Sequence, residues 1–130
     1  SVHGVYLRAE LREPGRSLLP LGALNSMTLL GAELAGRAYG GGMLKLEPRE
    51  ADQLAVPAPP LLEGVATELD ARRPDIAGTL RADGLHAAVR LVDDVVLHGG
   101  LGLTGAQVGR LRDAAASLHA RRVARGGRRG

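Results

Sequence analysis

Residues 39–48 read Tyr-Gly-Gly-Gly-Met-Leu-Lys-Leu-Glu-Pro, and the reading of this stretch decides the fold class. Three successive glycines can end a helix and open a tight turn, because glycine enters the left-handed region without steric penalty. Met43-Leu44-Lys45-Leu46 then reads as a short strand, and Pro48 starts a brief helical turn running through Gln53. Upstream, residues 20–38 predict a helix: Pro20 suits its first turn, and Leu24, Met27, Leu34 and Ala38 fall near helical spacing. Pro14-Gly15 predicts a turn. Residues 3–11 set Leu7, Ala9 and Leu11 against Arg8 and Glu10, the alternation of a strand with one wet face. Downstream, Leu54-Ala55-Val56 is expected to return to the core before Pro57, Pro59 and Pro60 close the unit.

Beyond residue 60 the pattern is helical. Residues 61–71 place Leu62, Val65 and Leu69 on one face, and Pro74 breaks the chain. Over residues 84–98, Leu85, Val89, Val92 and Val96 form one stripe beside Ala88, Leu91 and Val95. Thr104 and Gln107 have the spacing of a capping box for a last helix over 105–124, with Val108, Leu111, Ala115 and Leu118 as its apolar seam. The expected architecture is therefore α+β. A small mixed strand/helix subdomain (residues 1–60) is followed by a helical subdomain (residues 61–130), in which 84–98 and 105–124 pair as an antiparallel hairpin ahead of a basic tail.

Composition narrows the function classes. At 130 residues with 45% hydrophobic and 24% charged side chains, the chain suits one compact domain or two small subdomains sharing a core. Two Tyr and no Phe or Trp leave the core to Leu, Val, Ala and Met, and disfavour a stacking platform for single strands. The absence of Cys removes disulfides and thiolate chemistry, and suits a cytoplasmic setting. No apolar run approaches the ~20 residues of a membrane span, so no membrane association is expected. The start at Ser1, in mid-strand, reads as a piece of a longer protein. Charge is uneven: residues 110–130 hold seven Arg and one acid, while residues 1–109 carry thirteen acids against ten bases. The cluster Arg121, Arg122, Arg125, Arg128 and Arg129 can meet phosphates or remain a solvated terminus.

None of the familiar catalytic or cofactor motifs stands in its required context. Gly100-Leu101-Gly102-Leu103-Thr104-Gly105 spells a dinucleotide-binding fingerprint, but it follows a helical rather than a strand pattern, and no ribose-binding acid follows ~20 residues on. Gly99 and Gly100 read better as a helix end and Gly102 as loop. Gly40-Gly41-Gly42 has a helix before it and a strand after it, the reverse of a P-loop, and lacks the Gly-Lys-Ser/Thr ending. His3, His86, His98 and His119 are scattered without ligand spacing, and adjacent Asp93 and Asp94 point about 100° apart on a helix. No catalytic residue, metal site or cofactor site is assigned to this chain.

A resemblance adds to this. Ala23-Leu24-Asn25-Ser26, followed after a helix by Tyr39-Gly40-Gly41-Gly42-Met43-Leu44-Lys45-Leu46-Glu47-Pro48 and then Leu54-Ala55-Val56-Pro57, resembles the last part of the specificity region of gamma-class adenine-N6 DNA methyltransferases of the TaqI and Eco57I type. The match covers roughly residues 5–60. Residues 61–130 resemble, more softly, the helical tail of some of these enzymes. The resemblance implies a target-recognition piece of a bilobed enzyme, not catalytic in isolation, with duplex DNA as partner. A catalytic lobe in the same or another chain would bind S-adenosylmethionine and carry an Asn-Pro-Pro-Tyr/Phe motif, which this sequence lacks; its one Asn is Asn25. Adenine methylation requires the base to be flipped out of the duplex.

On this reading the nucleic-acid-binding residues are Asn25, Ser26, Tyr39, Gly40, Gly41, Gly42, Lys45, Arg121, Arg122 and Arg125. Asn25 and Ser26 can equally serve local backbone bonding at a helix terminus, and Tyr39 can pack in the core. The competing reading is a protein-interaction or dimerisation module, in which the helical faces dock another subunit or a second copy.

Overall fold

The computed structural model describes residues 4–128, and helices hold most of them. His3 and Arg129 lie outside the described residues, as does the side chain of Arg128. In chain order the elements are α1 (Arg12–Gly22), α2 (Ser26–Ala35), β1 (Arg37–Tyr39), β2 (Met43–Lys45), α3 (Pro48–Ala51), α4 (Pro59–Ala71), α5 (Arg73–Asp83), α6 (Leu85–Asp93) and α7 (Gly105–Arg128). A tight turn over Gly40–Gly42 joins the strands, and a π-helical turn over Asp94–Gly100 continues α6. The α+β class stands, with one two-stranded antiparallel sheet among the described residues.

The first sixty residues are more helical than their pattern suggests. Residues 4–8 carry no strand, and Ala9–Leu11 form a 3₁₀ turn leading into α1. Alternation needs a partner ladder to become a strand, and among the described residues the strand pairing is between β1 and β2; Leu7 instead folds back onto α1 at Gly15. Pro14 lies inside the first turn of α1, where a missing N–H costs nothing because those donors have no intrahelical partner. Pro20 lies near the end of α1 rather than at a helix start.

The expected helix over 20–38 is two helices, and the chain bends by 85° between them. Asn25 makes the break. Its Oδ1 accepts from the Thr28 amide at 2.9 Å as N-cap of α2, and its Nδ2 donates to the Gly22 carbonyl at 2.8 Å, closing the end of α1. Arg37 and Ala38, expected to finish a helix, instead join Tyr39 in β1, which pairs with β2 in the register Arg37↔Lys45, Ala38↔Leu44, Tyr39↔Met43. Leu54-Ala55-Val56 does not reach the core: Val56 is exposed, and Pro57 is the buried residue of that stretch.

The second half keeps its pattern but not its pairing. Leu62, Val65 and Leu69 are buried, as are Ala88, Val89, Val92, Val95, Val96 and Leu97. The capping box forms: the Gln107 amide donates to Thr104 Oγ1 at 3.1 Å, and the Thr104 amide to Gln107 Oε1 at 2.9 Å. The expected antiparallel hairpin of 84–98 with 105–124 is not the main packing. α6 lies against α5, whereas α7 lies along α2 and reaches the glycine turn and both strands. Leu18 and Leu21 of α1 join Leu62, Val65 and Leu69 of α4 in one apolar core with Ile76, Val92, Val96 and Val108. Residues from both stretches thus build the same interior.

One buried charge organises the packing. Asp93, at the end of α6, is 0% exposed. Its Oδ1 accepts from the Ser26 amide at 2.8 Å, and its Oδ2 accepts from Ser26 Oγ at 2.6 Å and from Arg112 Nε at 3.0 Å. A carboxylate at the positive end of α2 is favoured by the helix dipole, and it satisfies a donor that Asn25 leaves free. The same carboxylate therefore joins α6, α2 and α7. Replacing Asp93 with Ala strands these donors and is expected to lower stability by about 3 kcal/mol. Thr104→Ala, which loses only an exposed cap, is expected to cost about 1 kcal/mol. Urea midpoints at unchanged slope check both.

Candidate nucleic-acid interface

The two strands form a thin ribbon whose faces differ. Side chains alternate along a strand, so Arg37, Tyr39, Met43 and Lys45 share one face and Ala38 and Leu44 the other. The first face is wet, with Tyr39 45% and Met43 65% exposed. The second turns toward α7, where Ala38, Leu44 and Leu118 line a groove of about 130 Å³ rimmed by Arg121 and Arg125. The tertiary structure thus brings the glycine turn and the basic tail together, although about eighty residues separate them in sequence.

Arg37 and Lys45 stand opposite each other in the ladder, a like-charge pair that would destabilise it if left alone. α3 supplies both counter-ions. Glu47 caps α3 and lies 3.0 Å from Lys45 Nζ, while Glu50 closes the capping box and accepts from Arg37 Nε at 2.5 Å. The Glu47 amide, with Arg37 adding to it, holds the Glu50 carboxyl below the usual carboxylate range. Glu47 raises the Lys45 ammonium above its ordinary value, with a smaller contribution from Tyr39, whose ring lies 5.0 Å below Lys45 Nζ. Lys45 is therefore oriented by Glu47 and Tyr39 while remaining half-exposed. Arg121 and Arg125 are exposed, and no carboxylate lies within ion-pair distance of either among the described residues.

Not every candidate residue belongs to this surface. Asn25 and Ser26 are both 2% exposed, and their side chains are spent on Thr28, Gly22 and Asp93. Local bonding at a helix terminus is their role in this fold, and it takes them out of any surface that could meet a ligand. Tyr39 is at the surface, not in the core. Arg122 is turned inward: its guanidinium holds Glu33 with Nε at 3.1 Å and Nη2 at 2.7 Å, and it also donates to the Gly42 carbonyl. Glu33 raises the Arg122 pKa above its ordinary value. Arg37 and Met43 are additions that sequence reasoning missed. The period-2 alternation around the glycines would have exposed them had residues 37–39 been read as a strand.

Backbone geometry explains the glycines. Gly41 and Gly42 have φ of +75° and +77°, in the left-handed region that other residues enter at a cost. A Cβ on Gly42 would also meet the backbone of Val123 and Arg122 at 3.1 and 3.2 Å, so the turn sits directly on α7. Gly40 has open space around it and no positive φ.

Fold and site together define a small helical domain that presents a short basic β-ribbon backed by an arginine-bearing helix. A family model described as Type II methyltransferase M.Eco57I, C-terminal domain, matches residues 1–97, and the chain belongs to that family. The match runs from the N-terminal segment through the ribbon to the end of the α6 stripe and stops before α7. No curated protein and no solved structure matches the chain.

The turn geometry sets an order of mutational cost. Gly40→Ala is expected to be near neutral, Gly41→Ala to lose about 1 kcal/mol through left-handed strain, and Gly42→Ala to lose more because contact with α7 adds to the strain. Thermal unfolding of the three variants checks the order.

Proposed function

We propose that this domain is the DNA-facing, target-recognition portion of an adenine-N6 DNA methyltransferase of a restriction-modification system, and that the ribbon of residues 37–45 is the part directed at the duplex. The observation that carries this reading is the ribbon's placement: a two-stranded tip with cations on both sides, Arg37 and Lys45 in front and Arg121 and Arg125 behind. The major groove admits a two-stranded β-ribbon, and a tip seated there has a phosphate strand on each side. Family membership supports DNA as the partner. Lys45, Arg121 and Arg125 then contact phosphates and set register, while Tyr39 and Met43 lie nearest the base edges. Methyl transfer from S-adenosylmethionine is assigned to a separate catalytic lobe, because this sequence holds no Asn-Pro-Pro segment.

The interaction-module reading draws on a different region. Val5 and Tyr6 are exposed and, with Leu19, Arg12 and Arg16, line a groove of about 450 Å³. A concentration-independent dimer without DNA affinity would favour it over the DNA-facing reading.

Fluorescence anisotropy with labelled mixed-sequence duplexes over a salt series tests the proposal. Lys45→Ala, Arg121→Ala and Arg125→Ala are each expected to weaken binding about equally across sequences and to reduce the salt slope by about 1. Arg81→Ala, on exposed α5 away from the ribbon, is expected to leave the slope unchanged. Slopes that ignore the Lys45, Arg121 and Arg125 substitutions, or no binding even at low salt, would sink the proposal.

A further inference from the structure

The residue with the most committed side chain at this interface is Arg122. A guanidinium has five N–H donors, and here Nε and Nη2 grip both oxygens of Glu33, Nη1 reaches the Gly42 carbonyl, and Nη2 lies 2.8 Å from His119 Nδ1. The Arg122 and Glu33 side chains are 14% and 10% exposed. Glu33 belongs to α2, Gly42 to the turn and Arg122 to α7, so three elements meet at one planar fork. A bidentate fork fixes direction as well as distance.

The ribbon needs such a tie. Its ladder is three residue pairs long, and a two-stranded hairpin alone is marginal in water. The turn approaches α7 at Gly42 and again at Gly126, where any side chain would overlap the Gly42 backbone. Close approach permits the docking, but backbone contacts between glycines carry little orienting force. The Arg122 fork is the polar contact that specifies where the turn sits.

We propose that Arg122 and Glu33 form a positioning pair that locks the glycine turn onto α7, and that Arg122 acts on DNA binding through the turn and makes no phosphate contact itself. The part concerning DNA rests on the DNA-facing reading above; the lock itself does not. A phosphate could recruit Arg122 only by displacing Glu33, at the cost of leaving a nearly buried carboxylate with only His119 Nδ1, 3.7 Å away, beside it.

Glu33→Gln separates the two roles, because it adds one positive charge beside the interface. If Arg122 were a phosphate contact, releasing it from Glu33 would tighten binding. The lock predicts the opposite: affinity about three- to ten-fold weaker at low salt, since the ribbon is no longer held. Arg122→Lys keeps the charge and loses the fork, so it is expected to weaken binding to a similar degree, whereas a phosphate role would leave it close to wild type. Amide hydrogen exchange on the free protein reads the lock without DNA, and residues 39–45 are expected to lose protection by about ten-fold or more in both variants. Protection unchanged in both variants overturns the lock whether or not DNA binds. Faster exchange with unchanged or tighter DNA binding overturns the positioning role. A wild-type chain that binds no duplex overturns the DNA-facing reading instead, while exchange still decides the lock.

Discussion

A carboxylate with no exposed surface holds this fold in register. Asp93 is fully buried, and a charge there is tolerable only if every oxygen is engaged. Ser26 and Arg112 engage them, and each brings an element with it. Ser26 begins α2, so the direction in which α2 leaves the bend is set at this point. Arg112 lies in the second turn of α7, so α7 is anchored where its long run alongside α2 begins. The hydrophobic effect is indifferent to such details; a set of short, directional bonds to one carboxylate is not.

Further along α7, the Glu33–Arg122 ion pair adds a second polar tie to α2. The acid comes from α2 and the base from α7. The α2 and α7 helices are thus tied at two points, through Asp93 between Ser26 and Arg112 and directly through Glu33 and Arg122. The ribbon follows from this. It has no core of its own, and it gains a place only because α7 offers it a glycine-lined seat and a guanidinium. Its charges are then arranged by short-range chemistry: Glu47 and Glu50 at the start of α3 neutralise the wet-face pair Lys45 and Arg37, and among the described residues no ion pair engages Arg121 or Arg125.

The family match ends before the residues that complete this surface. Residues 1–97 contain the ribbon, its counter-ions and the acids Glu33 and Asp93; Arg112, Arg121, Arg122 and Arg125 come from beyond. The seat α7 provides for the turn depends on close backbone approach at Gly42 and Gly126.

Much of the chain was legible in its sequence. The glycine turn, the strand after it, the proline-started turn at Pro48, the helix over 61–71, the valine stripe and the Thr104–Gln107 cap all follow from local rules, because each is decided by neighbours within a few residues. The resemblance carried by residues 23–57 led to the right family for the same reason, since it rests on the order of local signals. What failed were decisions made at a distance. Residues 3–11 alternate like a strand, but among the described residues 4–11 have no partner ladder; Arg37 and Ala38 look like the end of a helix but pair with Lys45 and Leu44. Asn25 and Ser26 looked available, and a carboxylate 67 residues away claimed Ser26. Arg122 was one of several equivalent tail arginines until Glu33 and Gly42 distinguished it. Local sequence determines which segments are helical and where they stop. Which polar side chains are consumed inside and which remain to meet a partner is settled by the tertiary structure, because it depends on what burial places opposite each of them.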